Sequence, residues 1–379
     1  MKFLANSIDR RGPAARSESS EQNILSQESF LRMISLERKR TERSRKPFLL
    51  MLVDAGRCLP TEKNGKVLRK ILSTLATSTR ETDMKGWHKD DSAIGVMFTE
   101  MAIDAKNLIL GTMLARVSEA LRDSLGLEQF NQVNISFHLF PDDWDQQQRP
   151  SNPVLYPDLL KQDDSKRLSR ITKRVMDIAG SVLALLGFSP LFLLIAIAIK
   201  VSSRGPVFFR QRRVGQYGAP FVFLKFRSMY TGNDGSVHEE YVKQLIAGQA
   251  DRKPSNGNGE GVYKLTNDPR VTSVGRFLRR TSLDELPQFL NVLKGEMSLV
   301  GPRPALVYEV EAYDIWHRRR VMEVRPGITG LWQVNGRSRV KFDEMVRLDL
   351  RYARTCSPWL DMKILARTPR AVFLGEGAY

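Results

Sequence analysis

The chain has 379 residues, enough for two domains, and a formal net charge of +17. That charge is lopsided: residues 1–165 carry 24 Lys and Arg against 23 Asp and Glu, net +1, while residues 166–379 carry 35 against 19, net +16. A basic half suits an anionic membrane surface, a polyphosphate substrate or nucleic acid, and two cysteines, Cys58 and Cys356, exclude a disulfide framework or a zinc site of cysteine spacing.

Residues 1–28 are polar and Ser-rich, lack the apolar segment of a signal peptide, and are expected to form a disordered leader. Helical periodicity follows over 29–45, with Phe30, Leu31, Met33, Ile34 and Leu36 apolar, and Pro47 stops it. Residues 48–53 read as a buried strand ending at Asp54. A helix is predicted over 66–77, a hairpin turn over 82–91 leading into a strand at 93–98, a helix over 104–125 and a strand over 133–140. The class is α+β, with an α/β sandwich over 29–141.

That order resembles the catalytic domain of diguanylate cyclases. Asp54 falls where that family has a metal-binding Asp, and Lys89-Asp90-Asp91-Ser92-Ala93 falls where it has Gly-Gly-Asp-Glu-Phe. The two glycines that let a nucleotide approach the turn are replaced, as is the acid after the Asp. The resemblance therefore implies a degenerate, regulatory or dimerising module, a possible route to a homo-dimer. Residues 142–168 have the Pro- and Gln-rich composition of a linker.

Residues 181–199 hold no charge. As a helix they would be about 28 Å long, the thickness of a bilayer core. Ser189-Pro190 interrupts them, and a mid-helix proline removes a hydrogen bond and kinks the helix. Basic residues flank both ends, Arg170, Lys173 and Arg174 before, Lys200 and Arg204 after, which places both ends on the cytoplasmic side. The expectation is a re-entrant membrane helix over 169–201, broken at Ser189 and Pro190, with the Ser189 hydroxyl satisfying a freed backbone group. A straight transmembrane helix and a buried core helix are the alternatives.

Residues 202–379 are expected to be mostly helical with short strands and to lie at the membrane interface. Two strands over 205–215 and 221–229 flank a turn at Gly218-Ala219-Pro220, and Lys225 and Arg227 share one strand face. Residues 231–261 are polar and Gly-rich and read as a long loop. Ser282-Leu283-Asp284-Glu285 fits a capping box with Ser282 as N-cap, so the two acids serve a helix start, a phosphate site, or both. Pro302-Arg303-Pro304 holds Arg303 in a fixed backbone, suited to phosphate.

Taken together these stretches resemble the bacterial sugar transferase family, the monotopic polyprenyl-phosphate glycosyl-1-phosphate transferases. The resemblance rests on Lys173-Arg174 with Asp177, Ser189-Pro190, Lys225-Phe226-Arg227-Ser228-Met229, Ser282-Leu283-Asp284-Glu285-Leu286-Pro287, Asn291-Val292-Leu293-Lys294-Gly295, Gly301-Pro302-Arg303-Pro304 and Arg325-Pro326-Gly327-Ile328-Thr329-Gly330. It implies an enzyme of the cytoplasmic face of the bacterial inner membrane. A UDP-sugar and polyprenyl phosphate are its substrates, Mg²⁺ its cofactor, and glycan assembly its pathway. Mapped by motif, Asp284 is the nucleophile, Glu285 the Mg²⁺ ligand, and Lys225, Arg227, Arg279 and Arg303 the phosphate-binding cations. The larger members carry transmembrane helices upstream, whereas here a soluble domain is expected.

Two other classes fit less well. A membrane-tethered signalling protein whose N-terminal domain binds a nucleotide is disfavoured by the replaced glycines at Lys89-Asp90. A nucleic-acid-binding protein is disfavoured because no helix-turn-helix is legible and the arginines lie among Pro/Gly turns.

Overall fold

The computed structural model describes residues 24–55, 61–99, 106–141, 152–158, 167–232, 236–249, 269–336 and 340–373. The chain forms two compact units, the first including residues 152–161 and the second running from 162 to the C-terminus. Most of the expected leader and linker lies outside the described residues.

The first unit contains α1 (Gln27–Ser44), β1 (Phe48–Asp54), α2 (Thr61–Ser78), β2 (Met84–Lys89), β3 (Ala93–Phe98), α3 (Lys106–Leu125), α4 (Leu127–Phe130) and β4 (Asn134–Phe140). Its sheet has the order β2-β3-β1-β4 and is antiparallel throughout. Strand β1 is central and covered on both faces, which is why it reads as an unbroken apolar run rather than an alternation. Leu49, Met51 and Val53 face Ile71 and Leu75 of α2 and Leu121 of α3. On the other face α1 lays Phe30 into a notch made by Gly86 and Gly95, which pair across β2 and β3. A Cβ on Gly95 would stand 2.2 Å from the Phe30 ring.

Two sequence expectations change here. Residues 24–28 are not leader: Leu25 bridges to Gly86, and Ser26 caps α1 by accepting from Ser29 N at 3.3 Å. The stretch read as a turn over 82–91 is mostly strand β2, with the turn into β3 confined to residues 90–92. Within the expected linker, residues 152–158 pack on the first unit. The buried Arg38 donates to Asp158 at 2.6 Å and stacks on the Tyr156 ring.

The second unit begins with α5 (Arg167–Gly187) and α6 (Ser189–Ser202), which meet at a 61° bend. Pro190 sits in the first turn of α6, where its missing N–H costs least. The Ser189 hydroxyl donates to Leu186 O at 2.8 Å, satisfying a carbonyl at the end of α5. Among the described residues no single helix is long and apolar enough to cross a membrane, but this bent pair together is.

Helix α5 is amphipathic in an unusual sense, because its protein-facing side is the polar one. Lys173 donates to Val300 O at 3.0 Å and pairs with Asp361 at 2.5 Å. Arg174 donates to the carbonyls of Val292 and Leu293. Asp177, buried, accepts from Ser298 Oγ and Leu299 N, both at 2.9 Å. The opposite face exposes Leu168, Ile171, Val175, Ile178, Val182 and Leu186 at helical spacing.

The remaining elements are β5 (Phe208–Val214), β6 (Pro220–Phe226), α7 (Ser236–Ile246), α8 (Ser273–Arg280), a 3₁₀ turn (Leu283–Glu285), α9 (Gln288–Lys294), β7 (Ser298–Val300), β8 (Ala305–Leu306), α10 (Val307–Glu311), α11 (Arg319–Glu323), β9 (Gly327–Thr329), α12 (Leu331–Asn335), α13 (Phe342–Thr355) and α14 (Pro358–Phe373). Helix α7 corrects the expectation of a continuous loop over 231–261. Tyr241, Val242 and Leu245 recur at helical spacing inside a stretch whose Gly-rich flank masked them. Residues 250–268 lie outside the described residues.

Strands β7 and β9 pair in parallel, bringing the Gly301-Pro302-Arg303-Pro304 and Arg325-Pro326-Gly327 stretches back to back. Gly301 N donates to Thr329 O and Gly327 N to Pro302 O, each at 2.8 Å. A Cβ on Gly327 would lie 2.1 Å from Gly301 N, against backbone that cannot yield. Gly327→Ala is therefore expected to lower unfolding stability by about 3 kcal/mol, the upper range for overpacking, read as a fall in the thermal midpoint.

Candidate active site

Strand β6 delivers Lys225, and Asn291 of α9 fixes that strand. The buried Asn291 side chain accepts from Leu224 N at 3.1 Å and donates to Val222 O at 2.7 Å, standing in for a neighbouring strand. Phe226 is clamped between Phe192 of α6 and Phe208 of β5, with ring centroids 5.1 and 5.5 Å away. The reactive end of β6 is thus tied directly to the bent apolar pair.

Past the strand, the face shared by Lys225 and Arg227 is lost. Arg227 turns into the fold and donates to Arg204 O and Ser203 O, each at 2.7 Å, and to Ser203 Oγ at 2.9 Å. Its terminal nitrogens secure the chain leaving α6, a structural task, while Arg227 also lines the cavity described below. Ser228 reaches the site as well: its hydroxyl accepts from Arg279 Nε at 2.9 Å, and its carbonyl packs against Gly275 so closely that a Cβ there would lie 1.9 Å away. This contact seats α8 and aims Arg279.

The chain leaves α8 through Ser282, which has φ 55° and makes no side-chain cap. The expected capping box is therefore absent. Its place is taken by a left-handed residue followed by the 3₁₀ turn, and α9 begins only at Gln288. The physical reason is Pro287, which cannot supply an interior helical N–H, so helix start is deferred past it. The consequence is that neither acid is spent on capping. Asp284 is buried, and Glu285 is half-buried beside it.

Lys225 Nζ lies 3.1 Å from Glu285 Oε1 and 3.6 Å from Asp284 Oδ2. Burial pushes the Asp284 carboxyl up, aided by the adjacent Glu285 and opposed by Lys225 and Arg279. Burial also acts to raise Glu285, but Lys225, Arg303 and Arg213 together hold it below the ordinary range. One ammonium thus bridges two carboxylates of different character, a more basic buried one and a more acidic one open to the cavity.

Arg303 is exposed, and its guanidinium makes no ion pair among the described residues. Its loop is held from behind by two buried arginines. Arg213 donates to Pro304 O at 2.6 Å, and Arg320 donates to Arg303 O at 3.4 Å while pairing with Asp349 at 2.8 Å. Sequence reasoning missed Arg213. It is one of three arginines in Arg210-Gln211-Arg212-Arg213, and only the fold shows that it alone turns inward, stacked 4.3 Å over Phe223. Burial, with Arg303 nearby, lowers its pKa to about 10.

Arg213, Lys225, Arg279, Asp284, Glu285 and Arg303 line one cavity of about 2190 Å³, as does Arg227. That is large for a single small ligand. Its apolar lining includes Phe188 at the helix break, Phe208 and Phe209 of β5, and Trp332, Phe342 and Leu365 of α12, α13 and α14. Among the described residues no three acids, histidines or cysteines gather as a metal cluster. Mg²⁺ commonly takes one or two carboxylates and completes its shell with substrate phosphates and water, so the Glu285 carboxylate facing the cavity fits such an ion.

Comparisons with known proteins bear on the second unit. The bacterial sugar transferase family model matches residues 168–375, 208 of the 379 and so more than half of the chain. Galactosyl transferase CpsE of Streptococcus agalactiae is 45% identical over 211 residues, covering 55% of this chain and 43% of its own. The undecaprenyl-phosphate galactose phosphotransferase of Salmonella typhimurium is 43% identical, covering 57% of this chain and 43% of its own. The exopolysaccharide production protein ExoY of Rhizobium meliloti is also 43% identical, covering 55% and 88%. The chain thus spans less than half the length of the first two relatives and most of the third. A solved structure of a DGC protein from Thermotoga maritima aligns with 32% of this chain and 84% of its own, at 18% identity and TM-score 0.27, too low to bear on function. By the match over its second unit, the chain belongs to the bacterial sugar transferase family.

Proposed function

We propose that this protein moves a sugar-1-phosphate from a UDP-sugar to polyprenyl phosphate, the undecaprenyl carrier named for its Salmonella relative, and so initiates exopolysaccharide, capsule or O-antigen assembly. The observation that carries the reading is the Lys225-bridged pair Asp284 and Glu285, set in a basic cavity at the foot of a bent apolar helix pair.

In the first step an Asp284 oxygen attacks the phosphorus next to the sugar. The bond to the bridging oxygen breaks, and UMP leaves with that electron pair. The product is a sugar-phosphoryl aspartate. An oxygen of polyprenyl phosphate then attacks the same phosphorus, the aspartate–phosphorus bond breaks, and a polyprenyl diphosphate sugar forms. No proton needs to move in either step. The obstacle is charge, since a carboxylate must approach a diphosphate. Lys225, Arg279 and Arg303 offset it, Arg213 adds a buried positive charge behind them, and Glu285 would hold Mg²⁺, which supplies further neutralisation of the diphosphate. A covalent intermediate lets one site serve two bulky substrates in turn.

The apolar stripe on α5 and the 61° bend support a re-entrant hairpin in the cytoplasmic leaflet of the inner membrane, with the active site at headgroup level. Single cysteines placed before α5 and after α6 are expected to label from the cytoplasmic side only; labelling of either from outside would establish a crossing helix.

The reaction itself is tested on the full chain in nanodiscs. Sustained UMP release from a UDP-sugar is expected only with polyprenyl phosphate and Mg²⁺ both present. Equal release without the lipid would mean hydrolysis rather than transfer.

A further inference from the structure

The site described so far accounts for phosphates and lipid but leaves the nucleoside unassigned. Helix α7, which sequence reasoning passed over as loop, packs on α10 and brings His238 to Tyr308, with His238 Nδ1 3.2 Å from the phenol oxygen. Both residues line the same cavity as Asp284 and Arg303. We propose that His238 and Tyr308 form the binding subsite for the uridine of the donor, the nucleoside that departs as UMP. This rests on the transferase reading above and adds to it where the leaving group lies.

The first argument is direction. In an in-line displacement the leaving group departs opposite the attacking atom. Asp284 attacks, so the nucleotide must extend away from it. Arg279 closes α8 and Asp284 follows in the next turn, where Lys225 joins it to Glu285. Arg303 leads through β8 straight into α10, which carries Tyr308, and all of these residues line the one cavity. A diphosphate spanning from the first segment to the second, with its sugar-bearing phosphorus at Asp284, places the second phosphate near Arg303 and the nucleoside beside the pair.

The second argument is chemistry. Uracil is neutral and presents carbonyl acceptors and an N–H donor at its edge. Burial, with the Arg303 charge nearby, disfavours protonated His238, so the ring is neutral. His238 Nδ1 and the Tyr308 hydroxyl lie 3.2 Å apart, and together the imidazole and the phenol offer both donating and accepting atoms. A neutral imidazole and a phenol suit an uncharged heterocycle and its ribose. They would add little to binding a phosphate, which the nearby arginines already hold.

The test is equilibrium binding of UMP and of inorganic pyrophosphate to the full chain in nanodiscs, for wild type, His238→Ala and Tyr308→Phe. Losing one neutral hydrogen bond is worth about fivefold to tenfold in affinity. Each variant is expected to weaken UMP binding by that factor and to leave pyrophosphate binding within about twofold. Unchanged UMP affinity in both variants would overturn the subsite, as would equal losses for UMP and pyrophosphate, the mark of a merely structural role. The two readings fail separately. Wild type that turns over a UDP-sugar while the variants keep full UMP affinity leaves the transfer reaction standing without this subsite. UMP binding that depends on His238 and Tyr308, in a protein that forms no lipid product, does the reverse.

Discussion

Asp284→Asn is expected to lower turnover by at least about 10³-fold, the scale for removing a nucleophile. The amide matches the carboxylate in shape, so the buried turn over Leu283–Glu285 keeps its packing. What is lost is the attacking charge. Thermal unfolding should change little, because the carboxylate is held in the native state against its own desolvation and pushed up by burial. The same burial predicts a pH profile. Asp284 must be ionised to attack, and its pKa lies above the ordinary 3.8, so kcat/KM should fall on the acid side at a higher pH than a solvated aspartate would give. The UMP-release assay reads both effects, and near-normal turnover by the asparagine variant would remove Asp284 from the mechanism.

Lys225→Met should be nearly as damaging, by a different route. The thioether replaces the stem over Phe223, where Lys225 Nζ now lies 5.5 Å from the ring centroid. The ammonium, however, lies within 4 Å of both carboxylates. Without it two adjacent acids face each other in a largely buried site, and the incoming diphosphate meets uncompensated charge. A loss of about 10²- to 10³-fold in kcat/KM is expected, as for removal of one electrostatic stabiliser of a transition state. Lys225→Arg should recover part of it, since the charge returns with different geometry. Equal losses in the methionine and arginine variants would point to packing rather than charge.

Much of this site is legible in the sequence because its residues fall in contiguous stretches. Asp284 and Glu285 are neighbours, Lys225 sits in a short apolar strand, and Arg303 lies between two prolines. The helix break is legible for a similar reason, since Ser189-Pro190 acts locally. The misread features depend on what a residue meets in space. Arg227 shares a strand face with Lys225 on paper, but the strand ends at Phe226, and beyond it the guanidinium closes on the α6 terminus. Ser282 has the right spacing for a cap, yet its left-handed backbone takes the chain elsewhere. Arg213 is indistinguishable from Arg210 and Arg212 until β8 pairs with its end of β5 and Pro304 comes within reach. In the first unit Gly86 and Gly95 carry no visible signal, because the reason for them is Phe30, more than fifty residues away.

The most direct test of the central claim is to look for the covalent intermediate. The full chain in nanodiscs is mixed with a UDP-sugar and Mg²⁺, without polyprenyl phosphate, then digested and its peptides weighed. The account predicts one equivalent of UMP per protein and a sugar-phosphate adduct on the peptide carrying Asp284, discharged on adding polyprenyl phosphate. UMP release that proceeds with no adduct, and that requires the lipid even for the first turnover, would contradict it.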